Sequence, residues 1–289
     1  MRKLAKKILI TGSTSYIGTS LKNYLDSKNR NEYVVRTISL RDEMWHKSDF
    51  SKYDVIVHAA AVVHTDEKSE DIYYSINTDL ALKVAQKAKA AGVGQFIFLS
   101  TIAVYGNVKG GIIGASTPKS PATFYGKSKL KAETAIAPLQ DDKFKIAILR
   151  PPMIYGDGAK GNYPRLARFS RKIPIFPNFD NHRSMLYIGN LCEFIRLLID
   201  NEESGAFYPQ NHEYVKTSEM VRMIANANGK KIAFTTIFNP FIKFLVGRVA
   251  VFNKIFGTLV YEQNLSAYKE DYNVYDFKTS IELTELANL

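Results

Sequence analysis

The strongest constraint on the fold lies near the start of the chain, in the segment KKILITGSTSYIG. Its apolar run predicts a strand, and the spacing of apolar residues from Tyr16 to Lys28 predicts a helix. Between them, a glycine-containing turn presents backbone amides at the positive end of the helix dipole, where an anion is stabilised. The segment therefore predicts a pyrophosphate-binding turn at the first strand–helix junction of an α/β sheet.

The glycine spacing of this turn departs from the usual dinucleotide-binding pattern at one position. Gly12 and Gly18 are present, but Ser15 stands where a central glycine is common. A serine leaves less room for a phosphate, although its hydroxyl can donate a hydrogen bond to one. An ordinary strand–helix turn is the alternative interpretation, and the position at the first junction favours the phosphate site.

Strand-like and helix-like segments alternate through the first half of the chain. Helices are predicted over 72–91, closed by Gly92, and over 125–137, ended by Pro138. This alternation is typical of the α/β class with a doubly wound parallel sheet, so residues 1–150 are predicted to form a Rossmann-type dinucleotide-binding domain. The four further predicted strands are YVVRTISL, YDVIVHAAA, QFIFLS and KFKIAILR.

The regular alternation fades after Arg150, where Gly and Pro become frequent. We predict that residues 151–289 form mostly a smaller, irregular substrate-binding part, with some segments returning to the first domain. The most hydrophobic stretch lies at 237–261, and three cations within it argue against a membrane span. Core or dimer packing is the favoured explanation of this stretch, and peripheral contact with a membrane surface is the alternative.

The bulk composition restricts the class of protein. At 289 residues, with 46% hydrophobic and 23% charged residues, the chain has the composition of a globular protein with a large core. The net charge of +11 suggests an anionic partner, but the lysines are scattered and no nucleic-acid recognition motif is present, so no nucleic acid is predicted. The lone Cys192 forms no internal disulfide and the apolar run Ile8–Ile10 is too short for a signal peptide, so a cytoplasmic location is predicted.

A tyrosine followed four residues later by a lysine occurs three times, as Tyr24/Lys28, Tyr105/Lys109 and Tyr125/Lys129. The first pair lies on the helix behind the phosphate turn, and the second runs into a glycine-rich loop. Only the third opens a helix after the fourth parallel strand, and its spacing places both side chains on one face. The third pair is therefore the predicted acid–base pair of an active site.

The chemistry of proton transfer explains why these residue types are paired. A nearby ammonium stabilises a phenolate, so Lys129 is predicted to lower the pKa of Tyr125. Tyr125 would then exchange a proton with a substrate oxygen as hydride moves to or from a nicotinamide, and Lys129 would also hold the nicotinamide ribose. Thr101 is the candidate hydroxyl that bonds the reacting oxygen, with Ser100 the next candidate, and Ser100 is also predicted to face the cofactor. The alternative is that both hydroxyls only cap the strand that they follow.

The residues after the second strand bear on the choice between NAD and NADP. A carboxylate at this point would bond the adenosine ribose and repel a 2′-phosphate. The chain has Ser39 and Arg41 instead, with Asp42 just beyond. A hydroxyl and a guanidinium suit a phosphate, so NADP(H) is favoured slightly. The alternative is that Arg41 stacks on adenine or faces solvent.

Several motifs together resemble those of extended short-chain dehydrogenases/reductases, in the nucleotide-sugar epimerase and dehydratase group. They cover most of the chain: TGSTSYIG, HAAA at 58–61, STIAVYG, YGKSK and RPPMIYG, with Asp49-Phe50 and Asn77. The resemblance implies an NAD(P)-dependent enzyme. Its cofactor site would be formed by the amides of Tyr16 and Ile17, by Asp49 and Phe50 on the adenine side, by Ala59, Ala60, Ala61 and Asn77, and by Pro152 and Met153 beside the nicotinamide.

The same resemblance narrows the substrate class. Asn162 and Arg183 stand where this group binds a sugar nucleotide, with the arginine on the diphosphate, and Phe176 is placed near the base. The motifs most resemble UDP-hexose 4-epimerases and 4-keto-reductases of bacterial surface-polysaccharide pathways. An Asp-Glu pair follows the catalytic threonine in the dehydratase branch, whereas Ile102-Ala103 follow Thr101 here, so dehydration is not expected. We predict hydride transfer at C4 of a UDP-linked hexose or N-acetylhexosamine, and leave epimerase and reductase open.

One alternative from another class is a non-catalytic Rossmann protein that binds a dinucleotide as a sensor or assembly factor. Loss of the tyrosine–lysine pair would mark such a protein, and the pair is intact. The resemblance also leaves a homodimer open. No metal is predicted, because the histidines lack metal-ligand spacing: His46, His58, His64, His182 and His212.

Overall fold

The computed structural model describes residues 5–28, 32–63 and 69–287. The chain divides into two compact units. The segment Val108–Thr117, which the sequence analysis placed in the first domain, groups with the second unit, and Leu191–Pro209 groups with the first. The first unit comprises Met1–Asn107, Pro118–Pro151 and Leu191–Pro209, and the second comprises Val108–Thr117, Pro152–Asn190 and Gln210–Leu289.

The secondary structure alternates strands and helices in the first unit and is less regular in the second. The strands are β1 (Lys6–Thr11), β2 (Tyr33–Ile38), β3 (Val55–His58), β4 (Gln95–Leu99), β5 (Ile112–Ile113), β6 (Lys145–Leu149), β7 (Met153–Tyr155), β8 (Ile175–Pro177), β9 (Met185–Tyr187), β10 (Gly205–Phe207), β11 (Ala233–Thr235) and β12 (Val260–Tyr261). The α-helices are α1 (Tyr16–Ser27), α2 (Glu70–Tyr74), α3 (Ala81–Ala90), α4 (Phe124–Ile136), α5 (Asn162–Lys172), α6 (Ile188–Asp200), α7 (Thr217–Ala227), α8 (Asn239–Leu245), α9 (Ala250–Phe256) and α10 (Phe277–Leu286).

The first unit contains a six-stranded sheet in the order β10-β6-β4-β3-β1-β2, and every pairing in it is parallel. The predicted Rossmann-type α/β fold is confirmed, and all five predicted strands are present. β10 was missed because its three residues give no periodic signal. The strand order reverses where β1 and β3 lie side by side, and sheets of this kind bind ligands at the carboxyl ends of the strands beside such a reversal.

The core of the first unit lies between the sheet and its helices. β3 and β4 are buried at every position, as expected for parallel strands covered on both faces. Ile56 and Phe96 of these strands share one apolar cluster with Val84 of α3 and with Ala132 and Ile136 of α4. This packing fixes α4 against the sheet, and α4 carries the predicted acid–base pair.

The helix predicted over 72–91 is present but interrupted. A turn of π-helix, Ser75–Leu80, separates α2 from α3, and it brings the fully buried Asn77 into the interior. Such turns within α-helices are frequent at functional sites. Gly92 follows α3 with a φ of 77° and ends the helix as predicted.

The second unit is built from three two-stranded parallel pairs, β7–β9, β8–β11 and β5–β12, with helices packed on them. Its apolar stretch at 237–261 forms α8, α9 and β12. α8 buries Ile242 and α9 buries Phe256, both in a cluster with Phe176. Of the helices that the structure describes, none is long and apolar enough to cross a membrane.

Candidate active site

The turn between β1 and α1 is built for close approach to the backbone. Gly12 has a φ of 82°, and a Cβ on it would lie 2.9 Å from both Cα and N of Ala60. A Cβ on Gly18 would lie 2.6 Å from Oγ of Ser15 and 3.0 Å from the carbonyl oxygen of Gly12. Both positions therefore require glycine, and the turn has the form of a cradle for a pyrophosphate.

The serine that replaces the usual central glycine caps helix α1. Oγ of Ser15 accepts a hydrogen bond from the backbone N–H of Gly18 at 3.1 Å. The hydroxyl hydrogen is not used by this bond, which is compatible with the predicted donation to a phosphate. Tyr16 and Ile17 open the first turn of α1, the part of a helix that meets an anion.

Replacing Gly12 by alanine is expected to abolish dinucleotide binding and to destabilise the protein by about 2–4 kcal/mol, since a left-handed alanine would also collide with the backbone of Ala60. Gly92→Ala is the matched control, because Gly92 has a φ of 77° but no atom within 4 Å of an added Cβ. The control should cost about 1 kcal/mol and keep its affinity for NADH. Urea unfolding and fluorescence titration measure both quantities, and equal NADH affinities of the two variants would contradict this assignment.

The residues predicted to face the adenosine half of the cofactor differ in exposure and in hydrogen bonding. Arg41 is exposed, and its backbone N–H donates a hydrogen bond to Oγ of Ser39 at 3.2 Å. Oδ1 of Asp49 accepts hydrogen bonds from the backbone and the hydroxyl of Ser51, which lower the pKa of Asp49. Phe50 is 1% exposed and its ring packs in the core. The ring of Phe50 thus has a structural role, and the place of this residue on the adenine side of the cofactor stays a prediction.

The alanine segment after β3 is held in place by Asn77. Ala59 is buried and Ala61 is exposed, with Ala60 between them. Nδ2 of Asn77 donates to the carbonyl of Val62 at 2.9 Å, and Oδ1 of Asn77 accepts from the backbone N–H of Val62 at 2.8 Å. Nδ2 also donates to Oγ of Ser128 at 3.1 Å. Both polar atoms of Asn77 are therefore used within the protein, and it positions the alanine segment against α4.

The structure brings Thr101 and Tyr125 together at the carboxyl end of β4. Thr101 caps a 3-10 turn directly after the strand, and its side chain lies close enough to the hydroxyl of Tyr125 to act on the pKa of that hydroxyl. Gly126 permits this approach, because a Cβ on it would lie 2.6 Å from the carbonyl oxygen of Ala103. Thr123 caps α4 by accepting from the N–H of Gly126 at 3.1 Å. Gly126 and Thr123 were missed by the sequence analysis, although a threonine three residues before a glycine at a helix start is a recognisable capping signal.

The acidity of Tyr125 differs from the sequence-based expectation. Burial raises the pKa of Tyr125 to about 12, the hydrogen bond from Thr101 acts to lower it, and the neighbouring Tyr73 raises it further. Lys129 is not among the causes, so the prediction that this lysine lowers the pKa of Tyr125 is wrong in this structure. At neutral pH Tyr125 holds its proton and is ready to donate it.

Lys129 lies in an apolar interior rather than in water. It is 1% exposed, its Nζ donates to the carbonyl of Leu99 at 2.7 Å, and Nζ lies 4.7 Å from the centre of the Phe98 ring. Burial lowers the pKa of Lys129 to about 7, and the carboxylate of Glu133 acts in the opposite direction. Burial, and then the charge of Lys129, also lower the pKa of His58 to about 3, so His58 is neutral. Lys129 therefore changes its charge near neutral pH.

Replacing Lys129 by methionine is expected to remove activity and yet stabilise the fold by about 1–3 kcal/mol at pH 7. The pKa of Lys129 falls from 10.5 to about 7 on folding, so the unfolded chain binds more protons between these values and the buried lysine costs stability there. This cost, and with it the gain from methionine, should vanish as the pH approaches 10.5. Urea unfolding across this range tests the idea against Lys127→Met, an exposed position on the same helix. A Lys129→Met protein less stable than the parent at pH 7 would contradict it.

A buried ion pair ties α4 to the ends of two strands. Oε1 of Glu133 accepts from Oγ of Ser100 and from Nε of Arg150, the latter at 3.0 Å, and Oε2 accepts from Nη2 of Arg150 at 2.6 Å. Nη1 of Arg150 donates to the hydroxyls of Tyr105 and Tyr208 at 3.2 and 2.8 Å. Both charged side chains are 4% exposed. The hydroxyl of Ser100, predicted to face the cofactor, is thus engaged by Glu133, and neither member of the ion pair was found from the sequence.

The other two Tyr-x-x-x-Lys pairs are accounted for by structural contacts. The hydroxyl of Tyr24 donates to Oε2 of Glu193 at 2.6 Å, and that of Tyr105 accepts from Arg150. Across the ranges 5–28, 32–63 and 69–287, no three His, Cys, Asp or Glu side chains are grouped to hold a metal ion. His64 lies outside the described residues.

Arg183, in the second unit, is the predicted ligand of the substrate diphosphate. It is partly buried, and its Nη1 donates to the carbonyls of Asn253 and Gly257 at 3.4 and 3.1 Å, at the end of α9. Burial alone accounts for the lowered pKa of Arg183, with no carboxylate contributing. A partly buried guanidinium balanced by backbone carbonyls retains the capacity to bind an anion.

The remaining predicted residues of the second unit differ in exposure. Asn162 is exposed and opens α5, while Pro152 is buried immediately before Met153 begins β7. Phe176 is 6% exposed, and its ring centre lies 5.9 Å from that of Phe256. Its ring therefore packs in the core of the second unit, and its contact with a nucleotide base stays a prediction.

A parallel sheet with a glycine-built phosphate turn, and with threonine, tyrosine and lysine gathered at its carboxyl edge, defines an enzyme of the extended short-chain dehydrogenase/reductase type. The chain belongs to the NAD dependent epimerase/dehydratase family, whose profile matches residues 8–210.

Known proteins of this kind are similar to the chain over most of its length. It is 32% identical over 259 residues to a UDP-glucose 4-epimerase of Vibrio cholerae, covering 79% of this chain and 78% of that protein. It is 28% identical over 218 residues to an N-acetyl-alpha-D-glucosaminyl-diphospho-ditrans,octacis-undecaprenol 4-epimerase of Escherichia coli O157:H7, covering 68% of this chain and 64% of that protein. A dTDP-4-dehydrorhamnose reductase ortholog of Clostridium acetobutylicum has a TM-score of 0.75 at 20% identity, covering 98% of this chain and 100% of that one, which shows a shared fold.

Proposed function

We propose that the protein transfers hydride at C4 of a UDP-linked hexose or N-acetylhexosamine, as a 4-epimerase or 4-keto-reductase that makes precursors of surface polysaccharides. The observation that carries this proposal is the juxtaposition of Thr101 and Tyr125 at the carboxyl end of β4, one helical turn from the buried Lys129. The similarity to a UDP-glucose 4-epimerase supports the choice of C4 and of UDP.

The residues of the site move and hold a proton. A bound nicotinamide dinucleotide supplies the exchange of hydride with the sugar carbon. Tyr125, with a pKa of about 12, donates its proton to a C4 carbonyl oxygen that Thr101 also bonds. In the reverse direction Tyr125 accepts the proton of the 4-hydroxyl, and the hydrogen bond from Thr101 favours the phenolate that this requires. Lys129, with a pKa of about 7, can take up a charge near neutral pH, and its proposed role is to hold the nicotinamide ribose.

The cofactor preference separates the two versions of the reaction. Ser39 and the exposed Arg41 follow β2 where the adenosine ribose of a dinucleotide is held, and this pair suits a 2′-phosphate. We therefore propose NADP(H), which favours a reductase with an exchangeable cofactor. The family and the Vibrio cholerae relative favour an epimerase, which benefits from keeping its cofactor bound. The proposal therefore includes both the epimerase and the reductase.

The test begins with the purified protein, which is denatured so that any released nucleotide can be identified. Tightly held NAD and inversion of UDP-glucose or UDP-N-acetylglucosamine at C4, followed by NMR, would select the epimerase. NADPH oxidation that depends on a UDP-4-keto-sugar would select the reductase. Dinucleotide binding without turnover of any UDP-sugar would refute this substrate class.

A second candidate substrate carries the sugar diphosphate on a polyprenol, as the name of the Escherichia coli relative describes. The observation in its favour is that Arg183, the proposed diphosphate ligand, donates to the backbone at the end of α9. The same helix exposes Val251, which is 61% accessible, and Lys254. Turnover of a prenyl-diphosphate N-acetylglucosamine, without turnover of UDP-N-acetylglucosamine, would select this candidate.

A further inference from the structure

The second unit carries a surface on which large apolar side chains and cations stand side by side. The apolar residues are 39–82% exposed and come from α8, α9 and the residues flanking them. We call this the α8–α9 surface, formed by Ile237, Phe238, Phe241, Phe244, Val249 and Val251. Its exposed cations are Lys243, Arg248 and Lys254.

The exposed apolar residues are distinct from those that anchor the helices to the core. Ile242 is 2% exposed and Phe256 is 7% exposed, and both lie in the apolar cluster beneath the surface. Phe241 and Phe244, which flank Ile242 on α8, are 62% and 60% exposed. Core packing therefore explains only part of this hydrophobic stretch. Large apolar side chains exposed together mark an interaction surface.

The charge of the surface identifies its partner. From residue 220 to residue 261 the chain has six cations and no aspartate or glutamate. A second copy of this chain would bring the same positive charge against itself, and a nucleic acid would leave the phenylalanine rings in contact with water. The guanidinium of Arg248 lies 4.6 Å from the centre of the Phe244 ring, so a cation and an apolar ring are presented together. This combination matches a membrane interface, where phosphates lie directly above acyl chains.

We propose that the α8–α9 surface docks on a bilayer that contains anionic phospholipids. Its phenylalanine rings enter the boundary between head groups and acyl chains, and its cations contact lipid phosphates. α8 and α9 have seven residues each, too few to span a bilayer, so the contact is peripheral. The inference does not depend on which sugar carrier the enzyme uses.

The test is cosedimentation of the full chain with vesicles of phosphatidylcholine, with and without phosphatidylglycerol. The parent protein should bind the anionic vesicles and lose affinity as salt rises. Phe241→Ser/Phe244→Ser and Lys243→Glu/Lys254→Glu should each weaken this binding at least tenfold. The matched control Met44→Ser/Leu286→Ser removes side chains that are 62% and 66% exposed elsewhere, and it should bind like the parent.

Several results would overturn the proposal. They are absence of binding to anionic vesicles, equal binding to neutral vesicles, and parent-like binding by either double variant. A fourth is conversion of a dimer to a monomer by Phe241→Ser/Phe244→Ser with vesicle binding unchanged, which would assign the surface to a second copy of the chain. Light scattering after gel filtration measures that state, and thermal unfolding shows that each variant is folded.

Discussion

Replacing Tyr125 by phenylalanine is expected to lower kcat by about a thousandfold, while the affinity for NADH and the free energy of unfolding change little. Phenylalanine preserves the ring and removes only the hydroxyl, which lies beside the side chain of Thr101. That hydroxyl is the proposed proton donor, so its loss acts on the chemical step. Steady-state kinetics with the substrate that the turnover assays select, together with NADH titration, measures the two effects separately.

Tyr24→Phe is the matched control for this experiment. Tyr24 stands in another Tyr-x-x-x-Lys sequence, is also partly buried, and donates its hydroxyl hydrogen to Glu193. Its loss should leave kcat within a factor of about two, because α1 holds the phosphate turn and not the reacting atoms. If Tyr125→Phe kept the turnover of the parent, the proposed acid–base role would be refuted.

The sequence predicts those parts of the fold that have a local and repetitive signal. Five of the six sheet strands are runs of apolar residues bounded by turns, and the glycine turn stands at a unique junction. β10 was not predicted because three residues show no period. The π-helical turn around Asn77 was not predicted because it inserts one residue without breaking the helical pattern. Local periodicity therefore identifies elements better than it identifies irregularities within them.

The sequence predicted some properties of the site residues, such as a shared helix face, but not their contacts or their burial. The spacing of Tyr125 and Lys129 fixes their common helix face, but it does not fix where Nζ of Lys129 points, and the carbonyl of Leu99 binds it. Phe50 and Phe176 were assigned to ligands by motif position, whereas burial in three dimensions places their rings in the core. Motif position alone carries no information about burial.

The buried ion pair shows that the sequence also did not predict which charged residues are buried. Charged residues are normally exposed, so a sequence gives no reason to bury Glu133 or Arg150. One signal was available, because Glu133 stands eight residues after Tyr125 and therefore on the same face of α4. Its partner is 17 residues away and becomes a neighbour only when β6 joins β4.

Replacing Arg150 by methionine is expected to destabilise the protein by about 3–5 kcal/mol, because Glu133 would be left as a buried carboxylate without its cation. Adding Glu133→Leu should recover about 2–3 kcal/mol of this loss, since apolar side chains then fill the space of the pair. Urea unfolding of the two single variants and the double variant gives the coupling energy directly. Purely additive effects would show that the pair contributes no net interaction.

Turnover should not recover together with stability in the double variant. Glu133 accepts a hydrogen bond from the hydroxyl of Ser100, the residue before Thr101, so the carboxylate fixes the position of α4 relative to the end of β4. Without it, the Thr101–Tyr125 pair is less well ordered, and kcat should stay about tenfold to a hundredfold below that of the parent while KM changes little. Glu133→Gln, which keeps an oxygen acceptor for Ser100, should lose less turnover than Glu133→Leu. Because stability reports the charge pairing and kcat reports the alignment, a double variant with parental kcat would confine Glu133 and Arg150 to a purely structural role.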